Sequence, residues 1–155
     1  MEIERKFLVE HLPDNLEAFP KRHIEQAYLC CEPVVRVRRT DTRYTLTCKG
    51  SGLLAREEYE LPLSEAAYLH LRAKADGAAI AKDRYALPLG PYTVELDVFF
   101  PPFAPLALAE VEFPTRQAAG TFQPPDWFGR EVTWEPAYQN VNLSRAGGLN
   151  GLALL

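Results

Sequence analysis

Charged and apolar residues alternate along most of this chain with a period of two. In residues 2–9, Glu2, Glu4 and Lys6 fall on one face, and Ile3, Phe7 and Val9 on the other, with Arg5 the exception among the apolar positions. Alternating side chains of a β-strand point to opposite faces, so this spacing predicts a strand with one charged face. The pattern returns with Arg36 and Arg38, with Thr45, Thr47 and Lys49, and with Arg56, Glu58 and Glu60. It returns again with Lys82 and Arg84, Glu95 and Asp97, and Glu110 and Glu112. It predicts strands over residues 2–9, 25–29, 34–40, 43–49, 55–62, 80–87, 92–99 and 106–113. Asp41-Thr42, Gly50-Ser51-Gly52 and Pro88-Leu89-Gly90-Pro91 read as turns between them. Ser64 reads as the N-cap of a helix through about Ala75, with Tyr68, Leu71 and Ala75 on one stripe. Thr115 caps a shorter helix ending near Gly120, and Pro136 starts a third through Tyr138, Val141 and Leu143.

One such strand would ordinarily turn its charges to water. Charge doublets at i, i+2 in strand after strand instead suggest a surface that the strands share. Eight antiparallel strands with a few helices give an α+β or barrel fold, and eight is the size at which a closed barrel holds one small ligand. If the charges face inward, helices must cover the apolar outer faces, and mixed signs must offset the cost of burial. Acids that hold divalent cations and bases that hold phosphate suit a hydrated polar tunnel for a metal–polyphosphate.

Composition narrows the classes. At 155 residues and 47% hydrophobic content the chain is long enough for one folded domain, read here as residues 1–155. A net charge of -4 argues against a general nucleic-acid binder. The three cysteines, Cys30, Cys31 and Cys48, have no metal-ligand spacing and read as reduced, buried thiols of a cytoplasmic protein. No signal peptide is visible, and the apolar tail, residues 149–155, is too short to cross a membrane. His11, His23 and His70 do not cluster and read as surface residues; no GxxxxGK[ST] loop is present.

The opening Glu2-Ile-Glu4-Arg-Lys6 resembles the ExExK signature of the CYTH superfamily, the triphosphate tunnel metalloenzymes. Val35-Arg36-Val37-Arg38, Thr47-Cys48-Lys49-Gly50, Glu58-Tyr59-Glu60, Lys82-Asp83-Arg84-Tyr85, Glu95-Leu96-Asp97 and Glu110-Val111-Glu112-Phe113 follow in that family's order. Trp127-Phe128-Gly129-Arg130-Glu131-Val132-Thr133 follows near the C-terminus. The resemblance implies an eight-stranded antiparallel β-barrel, the triphosphate tunnel, with flanking helices and inward-facing charges. The short bacterial members that it resembles most hydrolyse inorganic tripolyphosphate with Mg²⁺ or Mn²⁺. The chain departs from them after Tyr138, where Gln139 and Asn140 stand in place of a basic residue.

The resemblance and the charge pattern together assign roles. Lys6, Arg36, Arg38, Lys49, Lys82 and Arg84 are expected to bind the phosphates, with arginines gripping bidentately and lysines acting as point charges. Lys6, Arg36, Arg38, Lys49, Arg56, Glu58 and Glu60 are expected to serve catalysis. Glu2, Glu4, Glu110 and Glu112 are expected to hold one metal, and Asp97, with Glu95, Glu58 or Glu60, a second that activates water. Glu58, Glu60 and Glu95 are equally readable as salt-bridge partners of tunnel bases. Trp127 and Phe128 read as core packing at the tunnel's end. The expected partner is a small-molecule triphosphate, with no nucleic acid and no membrane, bound by a monomer or homodimer. A class IV-type adenylyl cyclase, a thiamine or nucleoside triphosphatase, and a non-catalytic polyphosphate- or nucleotide-binding module are the alternative readings.

Overall fold

The alternating segments form a single antiparallel sheet that curls into a nearly closed barrel. A computed structural model describes residues 1–154. The strands are β1 (Glu2–Leu8), β2 (Lys21–Cys31), β3 (Val34–Thr40), β4 (Arg43–Lys49), β5 (Ala55–Arg56), β6 (Glu58–Leu63), β7 (Asp76–Leu89), β8 (Tyr92–Phe99) and β9 (Ala107–Glu112). Their order across the sheet is β5-β1-β9-β8-β7-β2-β3-β4-β6. The helices are α1 (Glu65–Arg72), α2 (Arg116–Thr121) and α3 (Asn140–Ala146).

Eight staves were expected, and nine strands are present because residues 55–62 do not form one strand. Ala55 and Arg56 pair with Ile3 and Glu2 of β1, whereas Glu58–Leu63 pairs with β4. The same stretch therefore supplies both edges of the sheet. Where β5 stops, residues 129–133 take over alongside β1. Val132 donates its N–H to the carbonyl of Lys6 at 2.8 Å, Leu8 donates to Arg130 at 2.9 Å, and Gly129 donates back to Leu8 at 2.7 Å.

Strands β2 and β7 run longer than their sequence suggests. They pair from Lys21 opposite Tyr85 to Tyr28 opposite Asp76, and this ladder carries polar end residues that look like loop in isolation. The first helix ends at Arg72, short of Ala75. The third begins only at Asn140: Pro136–Tyr138 is a separate 3₁₀ turn, and extended Gln139 (φ -72, ψ 137) interrupts it.

The inside-out arrangement holds. Ile3, Phe7, Leu87, Val94, Leu96 and Val111 face outward and are buried against Ala119 of α2 and Phe128. Phe128 stacks 4.8 Å from Phe7, and Trp127 packs beside it, so both residues serve the outer shell around β1. On the opposite side Ala27 and Val37 are covered by Tyr68 of α1. A third cluster, with Ile80, Phe99, Leu106 and Leu108, meets Val141 and Leu143, so α3 stoppers one end of the barrel. Ser64 and Thr115 cap α1 and α2 by accepting from Ala67 and Ala118.

The cysteines are free but not buried. Cys30 and Cys31, the last residues of β2 before the Glu32-Pro33 turn, are exposed, and Cys48 of β4 is half-buried. The three histidines are exposed, as expected. Leu149 packs on the third cluster and donates to the Pro102 carbonyl, while Leu155 of the apolar tail lies outside the described residues. Among the described residues no helix is long and apolar enough to cross a membrane.

Candidate active site

The barrel encloses a cavity of about 200 Å³ lined mainly by ionisable side chains. β1 contributes Glu2, Glu4 and Lys6, β3 Arg36 and Arg38, β4 Lys49, and β5 and β6 Arg56 and Glu58. Arg84, Glu95, Glu110 and Glu112 complete the ring from β7, β8 and β9. Register explains the gathering. Glu4 lies opposite Glu112, Lys6 opposite Glu110, Glu2 opposite Arg56, and Lys49 opposite Glu58.

Most of these charges are partnered. Lys49 Nζ lies 2.9 Å from Glu2, and Arg56 Nε lies 3.7 Å from the same carboxylate. Lys6 Nζ lies 3.4 Å from Glu110 and also donates to the Tyr138 carbonyl at 3.2 Å. Arg84 clamps Asp97 with two bonds of 2.7 and 2.8 Å and reaches Glu95 at 3.0 Å. Despite burial, the lysine and arginine charges around Glu110 hold its carboxyl far below the usual range.

Two groups lack such compensation. Among the described residues neither Arg36 nor Arg38 meets a carboxylate. Arg38 donates twice to the Gln26 side-chain oxygen, at 2.9 and 2.7 Å, and Arg36 reaches Thr47 at 3.1 Å. The Nε of Arg36 is buried without a partner. Burial, with Arg36 and Arg84 nearby, pulls Arg38 down to about 9. This pair is short of an anion. On the other wall Glu4 is pushed up to about 7, by burial first and then by Glu110. Burial and the neighbouring Glu2 and Glu95 also raise Glu112. These carboxylates are short of a cation.

Oxygen donors of this kind suit a hard divalent ion such as Mg²⁺ or Mn²⁺. Among the described residues no three carboxylate, histidine or cysteine side chains gather around one point, so the fit lies in donor chemistry rather than in a preformed cage.

Three expected site residues stand apart from the lining. Lys82 and Asp97 are fully buried and paired at 2.7 Å, with Lys82 also 3.4 Å from Asn140. Burial pulls the Lys82 ammonium down to about 7, against the opposing effect of Asp97. Glu60 is exposed and does not line the cavity. Conversely, Tyr28, Gln139, Asn140 and Val141 line it without having been singled out for the site. Gln26 and Tyr28 extend the period-two pattern of β2, but they carry no charge to mark it. Gln139 and Asn140 arrive through the fold of the C-terminal segment, for which no local periodicity exists.

Fold and lining define an antiparallel tunnel protein whose charges are held inside. The CYTH domain model matches residues 1–133, and the chain belongs to that family. It is 42% identical to an inorganic triphosphatase of Nitrosomonas europaea, over 92% of this chain and 96% of that one. It is 37% identical to an inorganic triphosphatase of Acetivibrio thermocellus, over 92% of each. A crystal structure of an inorganic triphosphatase superposes with a TM-score of 0.70 at 36% identity, covering 94% of this chain and 95% of that one. A protein of Pyrococcus horikoshii shares the fold at 20% identity and a TM-score of 0.55, over 75% of this chain and 80% of that one.

Proposed function

We propose that this chain is a one-domain, cytoplasmic, metal-dependent inorganic triphosphatase that hydrolyses tripolyphosphate to diphosphate and phosphate within the tunnel. The observation that carries the reading is the pairing of unmet charges: Arg36 and Arg38 without an anion, and Glu4 and Glu112 without a cation. A polyphosphate with its divalent counter-ion satisfies both at once. The CYTH relatives, themselves inorganic triphosphatases, support the substrate. The three free cysteines suit a reducing compartment.

In this reading Arg36 and Arg38 grip phosphate oxygens, and Lys6 and Lys49 turn from their carboxylates toward the anion. Glu2, Glu4 and Glu112 hold the metal. Bound Mg²⁺ or Mn²⁺ neutralises phosphate charge and lowers the pKa of a coordinated water. Asp97 and Glu110 anchor Arg84 so that this base meets the substrate already oriented, and Asp97 neutralises the buried Lys82 behind the lining. Glu58, beside Lys49 at 3.9 Å, and Glu95 on Arg84 restrain those bases from the wall. Cleavage of the terminal P–O–P bond by water leaves diphosphate and phosphate, with the charge on the leaving oxygen met by the guanidinium groups.

The test is a substrate panel of tripolyphosphate, ATP and thiamine triphosphate, each with Mg²⁺ and with Mn²⁺. Phosphate release should be fastest from tripolyphosphate, and EDTA or Glu4→Gln should abolish it. Conversion of ATP to cyclic AMP at an equal or greater rate would overturn the assignment.

A further inference from the structure

Arg5 breaks the apolar face of β1, and residues 129–133 lie outside the charged ring. The two features belong together. Arg5 turns away from the cavity and clasps Glu131 with two bonds, Nε to Oε2 at 2.9 Å and a terminal nitrogen to Oε1 at 2.6 Å. Its other terminal nitrogen reaches the carbonyls of Ala119 and Phe122 at 2.9 and 3.1 Å. Thr133 then donates its hydroxyl to Glu131 Oε2 at 2.6 Å and accepts the backbone N–H of Lys6 at 2.9 Å. A hydroxyl has one proton to give. Once Glu131 takes it, the oxygen is left facing Lys6 as an acceptor.

The location of this relay gives it a consequence. At Thr133 the chain leaves β1 and turns inward: Glu135 N–H bonds to Val132, Tyr138 N–H to Glu135, and Tyr138 presents its carbonyl to Lys6 Nζ. Thus one segment takes the backbone N–H of Lys6 through Thr133, its carbonyl through Val132, and its ammonium through Tyr138. Lys6 is almost fully buried and lines the cavity. We infer that Thr133 is a positioning residue for Lys6, oriented by the Arg5–Glu131 clasp, and that it acts on phosphate binding only through that lysine. The inference rests on the proposed function for the identity of the anion.

A double-mutant cycle tests it: tripolyphosphate binding by calorimetry in metal-free buffer for wild type, Thr133→Val, Lys6→Met and the double variant, with melting temperatures alongside. Thr133→Val should weaken binding about tenfold, and by less than about twofold once Lys6 is already Met, since coupled residues are non-additive. Thr133→Ser, which keeps the hydroxyl, should bind like wild type. Equal weakening in both backgrounds shows a merely structural role and overturns the inference. If Thr133→Val does not fold, the same cycle with Glu131→Gln decides by the same criterion. A wild-type chain that neither binds nor cleaves tripolyphosphate sinks both readings; one that binds, with an additive cycle, sinks this one alone.

Discussion

Glu4 shows what a single residue in this wall costs. Its carboxyl titrates at about 7 instead of the ordinary 4.5 because burial and the neighbouring Glu110 and Glu2 oppose its charge. The folded chain therefore keeps a proton that the unfolded chain has released. The stability linked to that proton is intact below about 4.5 and is lost as pH rises through 7. The loss amounts to about 3 kcal/mol at the standard conversion per pKa unit. Urea unfolding in EDTA should show Glu4→Gln gaining that much on wild type between pH 5 and pH 8. A gain independent of pH would mean that Glu4 is not the strained group. The period-two pattern disclosed Glu4 itself, but not its strain, which depends on Glu110 lying one strand away. It could not separate Glu58, which lines the cavity, from exposed Glu60, since both obey the same alternation.

Among the elements, α3 was the hardest to read and is the one most bound up with the cavity. Leu143 is fully buried in the cluster that closes the barrel, and Ser144 donates to the Ala78 carbonyl at 2.6 Å. The helix can approach β7 this closely because Gly77, at φ +70, has no side chain; a Cβ there would lie 2.7 Å from the Ser144 carbonyl. Leu143→Ala should destabilise the protein by about 2–5 kcal/mol in urea unfolding. A loss below 1 kcal/mol would mean that the stopper contributes little to the fold. The strands were legible because alternation is local. The helix start was not, because Pro136 begins only a 3₁₀ turn and Gln139 resets the chain before Asn140. The place where residues 55–62 change partner was equally hidden, since it reflects which neighbours a curled sheet brings to each edge.

Seen whole, the molecule separates two electrostatic ranges. Its net charge is -4, while the cavity lining carries six basic and six acidic residues. At a distance an incoming polyanion meets net repulsion; attraction begins only at contact. Screening reaches from about 30 Å at 0.01 M salt down to about 10 Å at 0.1 M. With metal saturating, kcat/KM for tripolyphosphate should therefore hold or rise across that range. A steep fall would show that the tunnel bases steer the substrate from afar.

The double duty of residues 55–63 leaves the wall with a seam, fastened like a zip drawn part-way. Two β5 residues hold to β1, and Glu2 reinforces the fastening by gripping Lys49 and Arg56. Those two cations also face the cavity. A polyanion that draws them onto its own oxygens takes them from the carboxylate that closes the seam. The girth of the barrel and the occupancy of its interior thus depend on the same charges, and the wall is also its own latch.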